Sequence, residues 1–139
     1  MQGDKGMLVE VKEVSRRLGK FKLEQVSMAL PKGFIMGLIG PNGAGKTSLL
    51  HLILGLYRPE SGEVLVDGMR YEDNEEAIRE MTGTVLQEEL FDKALTLRQN
   101  AEEYGKFYRT YSVQKLERYL SVLGWTAEQS TKLFPRGSN

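Results

Sequence analysis

The sequence contains no cysteine and a single histidine, His51. The absence of cysteine excludes a disulfide framework and thiolate metal sites, and one histidine gives little support for a metal site, since such sites draw on several ligands. The chain also lacks an excess of either charge, because 19 Lys and Arg residues balance 19 Asp and Glu residues. Without a basic excess we expect no nucleic-acid partner.

Long apolar runs are missing as well. The longest, residues 49–57, includes His51 and Gly55, and it falls well short of the ~20 residues that a membrane-spanning helix needs. Residues 1–5 lack the apolar core of a signal peptide. We therefore expect a cytoplasmic location, with any membrane association arising through a partner subunit. A chain of 139 residues is long enough for one domain with its own core.

What the sequence does contain is a glycine-rich turn between two apolar runs. The run at 34–39 predicts a buried strand, and the run at 48–56 predicts a helix. The turn matches Gly-x-x-x-x-Gly-Lys-[Ser/Thr], the phosphate loop, in the strand–loop–helix context that this motif needs. Its residues are Gly40, Pro41, Asn42, Gly43, Ala44, Gly45, Lys46 and Thr47.

These residue types suit the binding of a phosphate chain. Glycine adopts backbone conformations closed to other residues and lets the main chain approach a ligand closely. Amides that point inward then form an anion site, to which the following helix adds its N-terminus. We expect Lys46 to reach the β- and γ-phosphates and the Thr47 hydroxyl to ligate Mg²⁺. Ser48 could add a hydroxyl donor to the inner phosphates.

Hydrophobic periodicity and capping residues predict the elements around this loop. The helix at 46–54 is apolar nearly all round, so we expect it to be buried between layers, and Gly55 is predicted to cap its C-terminus. Asn74 is the predicted N-cap of the next helix, and Thr96 with Gln99 forms a capping box. The predicted strands are 7–14, 21–30, 63–66 and 82–86, and the later predicted helices are 74–81, 97–108 and one that begins after Ser112.

Taken in order, these motifs resemble the ATP-binding domain of ABC transporters from about Met7 to about Tyr108. The resemblance rests on the loop and on Pro-Lys-Gly at 31–33, Pro-Glu-Ser-Gly at 59–62, Asp-Gly at 67–68, Val-Leu-Gln at 85–87 and Leu-Thr-Leu at 95–97, followed by Asn100. It implies an α/β fold: a phosphate-loop NTPase core, with helices on a parallel sheet, plus an N-terminal antiparallel β-subdomain. We expect residues 1–133 to be the N-terminal part of one such domain, incomplete at its C-terminus.

The resemblance also implies ligands, partners and further site residues. It implies ATP and Mg²⁺, and it places Gln87 in the glutamine loop, whose side chain contacts Mg²⁺ and the attacking water. Lys46 and Gln87 are then the predicted catalytic residues. Residues 88–96 would face the coupling helix of a transmembrane subunit, and a second ATP-binding domain would complete a dimer.

The family usually stacks adenine on an aromatic residue, and Leu18 occupies that position here. Leucine packs against a base but cannot stack on it, and aromatic stacking contributes ~1–3 kcal/mol per base. Phe21, three residues further on, could substitute for the missing ring. Leu18 is thus predicted to contact the nucleotide, with reduced affinity.

Two further departures concern hydrolysis. After Gln87 the sequence contains no apolar run that ends in Asp-Glu, and it offers no late histidine for the γ-phosphate. We therefore expect the chain to bind Mg·ATP without hydrolysing it. Residues 134–139 stand where the signature loop would arrive, and they are either a degraded signature loop or a non-native tail resembling a protease-cleavage linker.

Three functions are open on these observations. The first is the ATP-binding component of an ABC transporter; the second is a soluble ABC-type ATPase acting on ribosomes or DNA, which the neutral charge disfavours. The third is a non-catalytic remnant of such a domain. Because the partner strand that ends in Asp-Glu is absent, residues 34–39 should also present an unpaired apolar edge, which favours self-association.

Overall fold

The computed structural model describes residues 6–85 and 91–133. Its contacts divide the chain into two compact units, Met1–Thr82 and Gly83–Asn139. The expectation of one domain over 1–133 stays a prediction. Gln87 and residues 134–139 lie outside the described residues. None of the helices in the described ranges has the length and apolar character needed to cross a bilayer.

The first unit is built on a three-stranded antiparallel sheet in the order β2-β1-β3. The strands are β1 (Met7–Leu18), β2 (Phe21–Pro31) and β3 (Ser61–Val66). All three strands are predicted by the sequence. β1 continues beyond the predicted end at Val14, because its last residue, Leu18, still pairs with Phe21 across a turn made only of Gly19 and Lys20.

Helix α1 (Lys46–Ile53) packs on this sheet through one face. The apolar core consists of Leu49 and Leu52 from the helix with Val11, Val14, Leu23 and Val64 from the strands. On the opposite face Leu50 is 48% exposed, so the prediction of a helix buried between layers is wrong for the described structure. Gly55, at φ +69°, follows the last helical turn, as predicted for a glycine that ends a helix.

Helix α2 (Tyr71–Met81) completes the first unit. It begins before the predicted start at Asn74, with Arg70 as its N-cap, and two helical segments meet at Asn74, the second of them ending at Met81 as predicted. Asn74 has non-helical angles (φ −141°, ψ 32°) that kink the helix after its first turn. An asparagine side chain competes for backbone hydrogen bonds in this way, and the Asn74 amide group donates to the Arg70 carbonyl at 3.5 Å.

Two of the predicted strands do not form. Residues 34–39 have no strand pairing among the described residues, and Ile35 and Ile39 are almost fully exposed. In the run at 82–86, the described residues 82–85 are not a strand either, and Val85 is 99% exposed. An apolar run becomes a strand only when a neighbour satisfies its backbone groups, and the described residues place none beside these runs.

The second unit contains α3 (Leu97–Gly105), α4 (Val113–Val122) and a short 3₁₀ turn (Thr131–Leu133). The predicted capping box is confirmed: the Gln99 amide donates to Thr96 Oγ1 and the Thr96 amide to Gln99 Oε1. Ser112 caps α4, as predicted. α3 ends at Gly105, earlier than the predicted end near residue 108. The small apolar core of this unit consists of Leu97, Leu120, Ala127 and the partly buried Leu116.

Candidate nucleotide-binding site

The glycine-rich loop leads directly into α1. Gly43 and Gly45 have φ values of +80° and +96°, a region that side chains strongly disfavour. Gly45 is the N-cap of the helix, and no side chain makes a capping hydrogen bond there. A Cβ added at Gly43 would meet no atom within 4 Å. Glycine is therefore needed at Gly43 for its backbone angles alone, and the space beside it is open.

The start of α1 supplies hydrogen-bond donors. The Leu49 amide bonds to the Gly45 carbonyl at 2.9 Å, which closes the first turn. Among the described residues, the amides of Lys46, Thr47 and Ser48 find no backbone acceptor. These are the amides that the geometry of any helix leaves unpaired, and together with the helix dipole they favour an anion at this position.

The ammonium group of Lys46 folds back over the loop. Its Nζ donates to the carbonyl oxygens of Gly40 and, at 2.8 Å, Pro41. The Ala44 amide also donates to the Pro41 carbonyl, at 3.2 Å. These hydrogen bonds close the loop on itself and bring a positive charge to its carbonyl groups.

The hydroxyl groups of Thr47 and Ser48 follow in the first turn, where Thr47 is exposed and Ser48 is partly buried. Within the described ranges, no group of three or more Asp, Glu, His or Cys side chains could hold a metal ion. Mg²⁺ prefers oxygen ligands and is commonly bound through substrate phosphates. The donor set therefore fits a cation that arrives with a phosphate chain, with the Thr47 hydroxyl as a protein ligand.

Two apolar side chains of β2 lie against the back of the loop. A Cβ built on Gly45 would be 2.6 Å from Phe21 Cζ and 3.0 Å from Leu23 Cδ2. The predicted nucleotide contact Leu18 is partly buried at the end of β1, paired with Phe21. Sequence reasoning named Phe21 as a substitute ring and missed Leu23, whose only signal was its place in the alternating pattern of β2.

The structure brings Lys46, Thr47, Ser48 and the loop glycines together, and β2 brings Phe21 to the same place. Gln87 lies outside the described residues, so its predicted catalytic and metal-binding roles stay predictions. The position of residues 91–96, part of the predicted contact with a transmembrane subunit, is described within the second unit only.

An open cleft of about 570 Å³ lies elsewhere in the first unit, away from the loop. Its walls come from the end of α1, from β3 and from the first turn of α2, with Gly55, Arg70 and Tyr71 among its lining. Burial raises the pKa of Tyr71, moving it further above neutral pH. The paired Arg70 and Glu63 satisfy each other at 2.8 Å. The phosphate loop, with unpaired amides and a cation, is the better anion site.

Together, the antiparallel sheet, the helix and the glycine loop define a phosphate-loop nucleotide-binding fold. Residues 23–136 match the model of a protein family described as "ABC transporter". The chain is a member of the ABC transporter family, as the sequence resemblance predicts.

Sequence relatives and a solved structure agree with this family membership. The chain is 34% identical over 124 residues to the sulfate/thiosulfate import ATP-binding protein CysA of Synechococcus elongatus, covering 88% of this chain and 36% of that protein. It is 34% identical over 116 residues to the Nod factor export ATP-binding protein I of Sinorhizobium fredii, covering 83% of this chain and 34% of that protein.

A solved structure described as the ATP-binding subunit of an ABC transporter superposes with a TM-score of 0.78 at 27% identity. The superposition covers 93% of this chain and 56% of that one. The predicted fold class is thereby confirmed. The chain spans little more than a third of the length of the two relatives, CysA and the Nod factor exporter.

Proposed function

We propose that this chain binds Mg·ATP through the phosphate loop, as part of the ATP-binding component of an ABC transporter. The observation that carries this proposal is the loop itself. Left-handed glycines at Gly43 and Gly45 precede the unpaired amides of α1, and the Lys46 ammonium contacts the loop carbonyls of Gly40 and Pro41. Family membership indicates which ligand to expect, because ABC domains bind nucleotides and the family is generally associated with ATP hydrolysis.

In this proposal the side chains act by positioning and neutralising charge. The Lys46 ammonium leaves the carbonyls of Gly40 and Pro41 and moves to the β- and γ-phosphates, where it offsets negative charge. The amides of residues 46–48 donate to phosphate oxygens, and the Ser48 hydroxyl adds a donor. Mg²⁺ would be held at the Thr47 hydroxyl and would supply neutralisation of the charge on the phosphate chain.

Hydrolysis and coupling form the finer part of the proposal. Gln87 is proposed to orient water and contact Mg²⁺, and residues 88–96 to meet a transmembrane subunit. A second ATP-binding domain would face the loop. Because no Asp-Glu pair follows Gln87 in this sequence, we propose that these 139 residues bind ATP without turning it over. One of the two relatives is an import protein and the other an export protein. We therefore propose ATP-driven transport for this chain without assigning a direction.

The test is a calorimetric titration of Mg·ATP into the 139-residue chain and into its Lys46→Ala variant. Loss of the ammonium should weaken binding about tenfold or more, since hydrogen bonds to charged groups contribute ~1.5–3 kcal/mol and 1.4 kcal/mol is tenfold in affinity. The matched control is Lys115→Ala, which removes a lysine from the second unit and should leave affinity unchanged. Equal affinities for wild type and Lys46→Ala would remove the loop from the proposal.

A further inference from the structure

The N-terminus of α1 lacks the usual side-chain hydrogen bond at its N-cap. Ser, Thr, Asp or Asn at the N-cap usually anchor a helix start through a side-chain hydrogen bond. Here the N-cap is Gly45, which makes none. Glycine is also the residue with the greatest backbone freedom, so the geometry of this N-cap has to be restrained by its neighbours.

The three atoms nearest to an ideal Cβ on Gly45 are apolar. The ring edge of Phe21 lies where a side chain of Gly45 would begin, with Cζ at 2.6 Å and Cε1 at 2.8 Å from an ideal Cβ, and Leu23 Cδ2 is at 3.0 Å. Leu23 is a core residue, and Phe21 is partly buried against the same core. The backbone of Gly45 therefore packs directly against the side chains of Phe21 and Leu23, which belong to the sheet.

We infer that Phe21 is a positioning residue for phosphate binding: its ring holds Gly45 at the left-handed geometry that aims the amides of residues 46–48 at the ligand. This inference rests on the proposed function, because it assigns a role within the same site. It differs from the substitute stacking role expected from the sequence, since here the ring acts on the loop and makes no contact with the base.

The position of the ring favours this role. Phe21 is paired with Leu18 across the β1–β2 turn, and its edge is already in contact with the loop and the core. A ring packed in this way keeps little freedom to turn a face toward adenine. Phe21 then affects binding of the phosphate chain. A Phe21 substitution should therefore weaken the affinity for a ligand without a base as strongly as it weakens the affinity for ATP.

The experiment compares Mg·ATP with inorganic tripolyphosphate in the presence of Mg²⁺, titrated into wild type, Phe21→Ala and Phe21→Leu by calorimetry. Phe21→Ala should weaken both ligands by a similar factor of about tenfold, which corresponds to ~1.4 kcal/mol. Phe21→Leu, which keeps part of the apolar contact with Gly45, should lose less affinity, again equally for both ligands. Hydrogen exchange at the Leu49 amide, which donates to the Gly45 carbonyl, should be faster in Phe21→Ala.

The matched control is Val26→Ala. Val26 is also on β2 and partly buried against the same core, but it is not among the nearest neighbours of Gly45. It should lower the unfolding free energy yet leave tripolyphosphate affinity unchanged, which separates positioning from general destabilisation. If Phe21→Ala does not fold, Phe21→Leu carries the test.

Two results would overturn the inference. A loss of affinity for ATP with tripolyphosphate unaffected would make Phe21 a stacking residue, and unchanged affinity for both ligands in a folded Phe21 variant would remove any role. Failure of wild type to bind either ligand would instead overturn the proposed function, and the inference with it.

Discussion

At the residue scale, glycines with similar backbone angles are needed for different reasons. Gly62 and Gly68 have φ values of +80° and +74°. A Cβ at Gly68 would lie in open space, whereas at Gly62 it would overlap the carbonyl oxygens of Lys12 and Glu13. The cause is a bulge in β1: Glu13 has φ +48°, and its amide donates to Ser27 Oγ at 2.9 Å. The bulged backbone thus occupies the place of a side chain at residue 62.

This contrast predicts different costs for the same substitution. Gly68→Ala should lower the unfolding free energy by ~1–2 kcal/mol, the strain of a left-handed non-glycine residue. Gly62→Ala should cost a further ~1–3 kcal/mol, because the overlap forces the β1 backbone to shift. Urea denaturation followed by circular dichroism measures both. Equal losses for the two variants would mean that the bulge yields without cost.

At the element scale, side chains reinforce a backbone bridge between Thr96 and Ser130 in holding the segment before α3. Asn100 is 2% exposed. Its Oδ1 accepts from the Asp92 amide at 2.8 Å, and its Nδ2 donates to the carbonyls of Asp92 and Thr96, both at 3.0 Å. The Thr131 hydroxyl also donates to the Asp92 carbonyl, at 3.0 Å. α3 and the 3₁₀ turn therefore fix residues 92–96 from two sides.

Asn100→Ala should destabilise the second unit by ~2–3 kcal/mol, because it leaves the partly buried Asp92 amide without its acceptor and removes one hydrogen bond from each of the Asp92 and Thr96 carbonyls. Hydrogen exchange of the α3 amides, read by mass spectrometry, should accelerate accordingly. Gln99→Ala is the control: it removes only the Gln99 half of the capping box and should cost ~0.5–1 kcal/mol. Protection in Asn100→Ala as strong as in Gln99→Ala would contradict the role assigned to Asn100.

Another feature at this scale is the ion pairing of Arg98 in α3. Its guanidinium bonds Glu117 and Glu128, each at 2.6 Å. Hydrogen bonds to Glu128 and Glu117 raise the pKa of Arg98, whose guanidinium is charged in any case. Both pairs are well exposed, and exposed pairs contribute little to stability. Their effect is to tie α4 and the turn at 126–129 to α3.

At the scale of the whole molecule, the main exposed feature is the apolar segment at 34–39. Phe34 is 62% exposed, and Ile35 and Ile39 are almost fully exposed. Contiguous exposed apolar side chains mark interaction sites or aggregation-prone surfaces. The segment is also unpaired among the described residues, so its backbone groups are available to another chain.

We predict that the 139-residue chain self-associates through this segment. An Ile35→Lys, Ile39→Lys variant should shift the molecule toward the monomer, since charges on an unpaired segment oppose association. Size-exclusion chromatography with light scattering measures the mass over a concentration series. Met81→Lys, which changes an exposed apolar residue on α2, is the control and should leave the mass unchanged. A monodisperse monomer of the wild-type chain would contradict the prediction.

Much of this structure follows from local signals in the sequence. The alternating patterns of β1 and β2, the capping box at Thr96, the cap at Ser112 and the glycine after α1 each depend on neighbouring residues alone, and each is confirmed. The phosphate loop also has a local signal, because its glycines and the helix that follows them are adjacent in the sequence. Family membership follows from the order of these local motifs along the chain.

Tertiary structure decided what depends on distant partners. The apolar runs at 34–39 and 82–86 carry strand propensity, yet a strand forms only beside a neighbour, and the described residues supply none. α1 is apolar nearly all round, but its burial is set by how many layers cover it, and one sheet covers one face. The contact of Phe21 with Gly45 likewise has no local signal, because it is made by the fold of β2 over the start of α1.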